Sequence, residues 1–168
     1  MSEEAFIARR HADLAQLRAA QGAQAVYPTY VSPVGAMRVA DVRGRYEALV
    51  PNKDDKLRDV RLTVQGRLVK KREAGSKLVF YGVRDGTGEL QVLVSASNLE
   101  AGQEKTAAER EMEVARRLFH RGDIAEVEGF PGRTATGELS VFATRMRMLA
   151  PCIHPLPLDE SLKDPVKT

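Results

Sequence analysis

The chain has 168 residues, 43% of them hydrophobic and 29% charged, with a formal net charge of +3. That composition suits one folded domain with an appendage and excludes a disordered chain, while the net charge is too small to argue for a polyanionic partner by itself. The single cysteine, Cys152, excludes an intrachain disulfide; no apolar run could span a bilayer and the start carries no signal-peptide pattern, so a soluble cytoplasmic protein is expected.

Ser2 to Gln21 reads as a helix stopped by Gly22, with Phe6, Leu14 and Leu17 as an imperfect apolar stripe. Its arginines, Arg9, Arg10 and Arg18, are expected mostly on a solvated face. Pro28, Pro33 and Gly35 mark a connector that packs against the domain, followed by a short helix within Met37 to Leu49. Residues 1–50 thus form an N-terminal helix and connector. Strand one spans Val60 to Lys71, with Leu62, Val64 and Leu68 on one face and Gly66 at a bend or bulge. Glu73 to Ser76 turns the chain into strand two, Lys77 to Arg84, whose Val79, Tyr81 and Val83 share one face while Leu78 and Phe80 share the other. Asp85-Gly86-Thr87-Gly88 is a hairpin turn, and strand three runs from Glu89 to Ser95 with Gln91 and Leu93 outward. A helix follows, opened by a Thr106/Glu109 capping box, carrying Met112, Ala115 and Phe119 at helical spacing and ended by Gly122. Strand four is Asp123 to Phe130, and Pro131 to Gly137 is a loop bearing Arg133. Strand five is Glu138 to Met148, with Leu139, Val141 and Ala143 inward and Glu138, Ser140 and Phe142 outward. The proline-rich residues 151–168 read as a linker leaving the domain.

Three strands, a helix and two strands is the element order of the OB-fold, a five-stranded Greek-key barrel, here mainly β with flanking α and occupying residues 60–150. OB-folds bind oligonucleotides on strands two and three and on the loops joining strands one to two and four to five. Between Arg61 and Gln91 seven basic residues stand against three acidic ones, so positive charge is concentrated around the outward Phe80. A ring beside cations and an amide is equipment for holding an unstacked base on a charged backbone. Arg67, Lys70, Lys71, Lys77 and Arg133 are candidates for the phosphates, which they would attract without reading sequence. His11, His120 and His154 lack ligand spacing, so no metal site is expected; His120 falls near a helix end, where a cation is favoured. No residue reads as catalytic.

The runs GRLVKKREAGSKLVFYGVRDGTGELQVLV, RGDIAEVEGFPGRTATGELSV and LAPCIHPLPLDESLKD, in that order and preceded by YPTY, resemble the N-terminal anticodon-binding domain of class II lysyl-tRNA synthetases. The resemblance implies that Arg72, Phe80 and Gln91 grip the central anticodon uridine and that Glu138 helps read anticodon bases. The partner it implies is a lysine-accepting tRNA with a UUU-type anticodon. It also implies a homodimeric parent whose catalytic domain uses ATP and Mg. The chain stops near Lys163-Asp164, about where that domain would begin, and carries no class II ATP-binding arginine motif. These residues are therefore expected to bind tRNA, to hold no cofactor and to activate no lysine alone. Two other readings stay open: a stand-alone OB protein binding single strands without sequence preference, and an OB domain that docks on protein.

Overall fold

The computed structural model describes residues 1–33, 35–99 and 105–156, with backbone alone for Lys105 to Ala108 and Glu111. Helix α1 (Glu3–Gln21) starts at Ser2, whose hydroxyl accepts from the Ala5 N–H at 3.2 Å, and stops at Gly22. There φ is +88°, a conformation that costs glycine nothing. Helix α2 (Val39–Tyr46) lies within the predicted stretch. Strands β1 (Leu62–Glu73), β2 (Leu78–Asp85), β3 (Gly88–Ser95), β4 (Ile124–Arg133) and β5 (Leu139–Ala150) close a barrel in the order β1-β2-β3-β5-β4. Every pair is antiparallel except β3 with β5. Helix α3 (Lys105–Leu118) lies between β3 and β4 in the chain, as predicted.

The inward sets predicted for β1, β2, β3 and β5 all lie in one hydrophobic cluster. Met112, Ala115, Leu118 and Phe119 from α3, Leu14 and Leu17 from α1, and Val39, Val42 and Tyr46 from α2 extend the same cluster. The N-terminal segment is thus continuous with the barrel core.

Several expectations need correction. Pro131 to Arg133, read as loop, close β4, so the loop shrinks to Thr134–Glu138. α3 begins at Lys105, which places Thr106 inside the helix; its side chain, like Pro157 and Pro165, lies outside the described residues. The helix ends at Leu118, and Gly122 instead donates its N–H to Leu68 O at 2.6 Å. Gly66 is not the bulge: the register slips between Leu68 and Lys70. Gly66 sits where β1 changes partners, pairing with β4 over Leu62–Arg67 and with β2 from Arg67 onward. A Cβ at Gly66 would lie 2.4 Å from Arg84 O, so the crossing requires glycine.

Arg10 departs furthest from expectation. It is 1% exposed, not solvated, and its guanidinium donates to Leu118 O, to Cys152 O and to the buried Asp123 carboxylate. Asp123 also accepts from the His120 N–H at 2.8 Å and the Cys152 N–H at 2.7 Å. Burial pushes its carboxyl above the ordinary value, opposed by Arg10 and by those two N–H groups. This pair ties α1 to the end of α3, the start of β4 and the exit segment. His120, beside it with Phe6 edge-on at 5.7 Å, is not a favoured cation: burial first, then the charges of Arg10 and Lys71, lower its pKa to about 4.

Candidate nucleic-acid interface

The ladder registers place two rows of side chains across the outer face of the barrel. One row is Arg72–Phe80–Leu93–Phe142–Phe130; the next is Lys70–Gly82–Gln91–Ser140–Gly132. The β1 bulge is what puts the cations there. Leu68 faces inward, and uninterrupted alternation would send residues 70 and 72 inward too; the extra residue, Val69, inverts the parity so that Lys70 opposes Gly82 and Arg72 opposes Phe80.

Phe80 is half-buried and lies outside the main core. Its ring packs in a second cluster with Leu78, Leu93, Phe130 and Phe142, the last two rings stacked at 5.4 Å with an interplanar angle of 3°. Cations cover these rings. The Arg72 guanidinium lies 4.3 Å from the Phe80 centroid, and Lys56 and Arg58 lie 5.2 Å from Phe142 and Phe130 respectively. Beside Phe80 opens a concavity of about 430 Å³ lined by Arg43, Lys70, Arg72, Gly82, Gln91 and Glu138. A smaller one of about 280 Å³, on the side of Lys56 and Thr134–Thr136, shares Arg72, Phe80 and Gln91 with it. Gly82 makes room in the first: a Cβ there would lie 2.9 Å from Glu89 Oε1 and 3.2 Å from Lys70 Cβ.

The rim is held by ion pairs and backbone carbonyls. Glu89 joins Lys70 at 2.9 Å and Arg84 at 3.0 Å; burial alone would raise its carboxyl, but these two hydrogen-bonded cations hold it below the ordinary value. Gln91 Oε1 accepts from the Ser140 hydroxyl at 2.8 Å. Arg43, on α2, donates through Nε and Nη2 to Glu89 O at 3.1 and 2.6 Å and comes within 4.0 Å of the half-exposed Glu138 carboxylate. The β2–β3 turn positions that helix: Asp85 Oδ2 accepts from Val39 N–H at 2.8 Å and Thr87 Oγ1 from Ala40 N–H at 3.0 Å, capping its first turn.

The structure therefore gathers Arg72, Phe80, Gln91 and Glu138, with Lys70, around one hollow. Lys77 is exposed on the β1–β2 turn. Three other basic candidates direct their heads elsewhere. Arg67 donates to Gly122 O at 3.0 Å. Lys71, on the opposite parity, reaches Arg116 O past the Tyr81 ring, and burial pushes its ammonium below the ordinary value. Arg133 spans Val50 O, Gly137 O and Glu47, so it fastens the end of α2 to the β4–β5 loop. Sequence reasoning missed Arg43 and Gly82. The outward parity of β2 does mark Gly82, which stands two residues from Phe80 on the same face.

The family model for the OB-fold nucleic acid binding domain of the tRNA anticodon type matches residues 62–149, the whole barrel. The chain belongs to that anticodon-binding family. Among curated proteins it is 42% identical over 110 residues to lysine–tRNA ligase cla4 of Cladosporium cladosporioides, covering 62% of this chain and 17% of that one. It is 30% identical over 158 residues to the mitochondrial lysine–tRNA ligase of Schizosaccharomyces pombe and 36% identical over 157 residues to the lysine–tRNA ligase of Xylella fastidiosa strain M12. Those two alignments cover 91% and 92% of this chain but 28% of each relative, so the chain spans less than a third of their length. Among the described residues, no helix is long and apolar enough to cross a membrane, and no three His, Cys, Asp or Glu side chains cluster as metal ligands.

Proposed function

We propose that this anticodon-binding domain serves a lysine–tRNA ligase and selects tRNA by its central anticodon uridine. The observation that carries the reading is the Phe80 ring, outside the barrel core and beside a gap left by Gly82, with Arg72, Gln91 and Glu138 around it. Stacking on the ring holds a base for roughly 1–3 kcal/mol but scarcely distinguishes one base from another. Selection comes from the polar edge. Uracil offers two carbonyl acceptors and one N–H donor; Arg72 supplies donors only, Glu138 an acceptor, and Gln91 an amide. Cytosine turns an amino donor toward groups that also donate, leaving them unpaired. Lys70 and Lys77 attract the flanking phosphates, which adds affinity without sequence. On this reading the ATP- and Mg-dependent chemistry, and a homodimeric assembly, are the parent ligase's. A reducing, cytoplasmic compartment accords with the lone Cys152.

The test is titration of this chain with an anticodon stem-loop carrying UUU and with one whose central base is C. The UUU loop should bind roughly 5- to 150-fold more tightly, the range set by leaving one buried polar group unpaired. Equal affinities would sink the selective reading in favour of a non-specific single-strand binder. No binding of either RNA at low salt would favour a protein-docking domain.

A further inference from the structure

The reading of Gln91 leaves a problem that Ser140 resolves. A primary amide carries a donor and an acceptor on one rotatable end. Free to turn over, Gln91 would offer Nε2 to the O4 of uracil and, equally well, Oε1 to the N4 amino group of cytosine, and the amide would favour neither pyrimidine. Discrimination by Gln91 therefore requires something to fix which atom of the amide meets the ligand.

We infer that Ser140 is that element: a positioning residue whose hydroxyl holds Gln91 Oε1, so that the amide meets the base with its N–H groups. The inference rests on the proposed role of Gln91. Ser140 is Gln91's ladder partner across the parallel β3–β5 pair, on the same outward row, so the register imposes their contact. Ser140 is 1% exposed, so its proton must be placed on a protein acceptor. Two acceptors are in reach, Gln91 Oε1 at 2.8 Å and Glu138 O at 3.2 Å, and the shorter bond is the one to the amide. With Oε1 engaged there, Nε2 is the amide atom left to the concavity, next to Gly82, Gln91's ladder partner on the other side. Gly82 has no side chain to stand between Nε2 and a bound base. Ser140 touches no ligand in this arrangement and acts through Gln91 alone.

The experiment is a double-mutant cycle on this chain with Ser140→Ala and Gln91→Ala, each protein titrated with stem-loops carrying U or C at the central position. Ser140→Ala frees the amide to turn, so the preference for U over C should fall about tenfold, mainly through tighter binding of the C loop, the gain expected from pairing one formerly unpaired polar group. In the Gln91→Ala background, Ser140→Ala should leave the remaining preference unchanged. A merely structural serine would weaken both RNAs by the same factor in both backgrounds, and that result overturns the inference. So does a preference that survives Ser140→Ala but is lost in Gln91→Ala. If Gln91→Ala itself leaves the preference intact, the proposed role of Gln91 fails, and the inference fails with it.

Discussion

Replacing Phe80 with alanine tests whether the ring is a platform for a base or a piece of packing, and the structure sets the size of each effect. Stacking contributes roughly 1–3 kcal/mol per base by alanine substitution. The ring is already occupied, however, by the Arg72 guanidinium at 4.3 Å, an exposed contact of about 0.5–1 kcal/mol that a base arriving on that face must displace. Phe80→Ala removes both terms, so the net loss in binding should be about 0.5–2 kcal/mol, or roughly 2- to 30-fold in Kd. Stability should fall as well, because the ring packs on Leu78 and Leu93. A half-buried ring should cost well under the ~3–5 kcal/mol of a phenylalanine deleted from a full core. The assay is fluorescence titration of a labelled UUU stem-loop at several salt concentrations, with urea unfolding of the free proteins alongside. Because stacking releases no counterions, the slope of log K against log salt should match wild type. A variant that unfolds earlier but binds RNA as wild type would refute the platform role, and a changed salt slope would show that the substitution had disturbed the cations instead.

Gly82→Ala adds a methyl group to the hollow rather than removing a wall. Its nearest neighbour is the movable end of Glu89, so the unfolding free energy should stay within about 1 kcal/mol of wild type while stem-loop affinity falls several-fold. Unaltered affinity would mean that the base lies elsewhere. His120 should make the fold acid-sensitive. Its folded pKa of about 4 lies below the ordinary 6.5, so between those values the unfolded chain takes up a proton that the folded chain refuses. Stability should therefore drop as pH falls through that window, by at most about 1.4 kcal/mol per pH unit. His120→Asn should flatten that part of the urea-midpoint profile between pH 7 and 4.5; an identical profile would acquit the imidazole.

The element order and the inward faces were legible because period-two alternation survives in β2, β3 and the first stretch of β5, Leu139 to Ala143, before its register slips against β4, and closure of a small barrel then leaves few arrangements. Phe80, Gln91 and Glu138 could be placed for the same reason: each stands on or beside a stretch of strand whose parity is unbroken. The basic residues of β1 could not. One extra residue, Val69, reverses the faces of everything after it, sending Arg72 to the site and Lys71 to the α3 side, and nothing in LVKKR announces where the register slips. Arg10 was misplaced for a different reason. A helix face with an arginine at the apolar boundary reads as solvated unless its buried counter-ion is known, and Asp123 lies 113 residues away. Arg43 was missed because it belongs to α2, whose position depends on a cap supplied by the β2–β3 turn.

These cations have one kind of contact in common, and it bears on how the domain binds. Arg10, Arg43, Arg67, Lys71 and Arg133 all donate to backbone carbonyls of chain segments that the barrel must hold together: Leu118 and Cys152, Glu89, Gly122, Arg116, Val50 and Gly137. An arginine fork or a lysine head is suited to that task, because it satisfies carbonyl groups that helix ends and loops leave without N–H partners. Such cations are fixed to the scaffold, so the local excess of positive charge counted along the sequence overstates what a polyanion would meet. Around the hollow, Arg72 already lies on Phe80 and Lys70 must exchange Glu89 for a phosphate, so Lys70 and Lys77 release few counterions between them. Binding here should accordingly depend only weakly on salt, with affinity drawn from the ring and selectivity from the amide and carboxylate beside it.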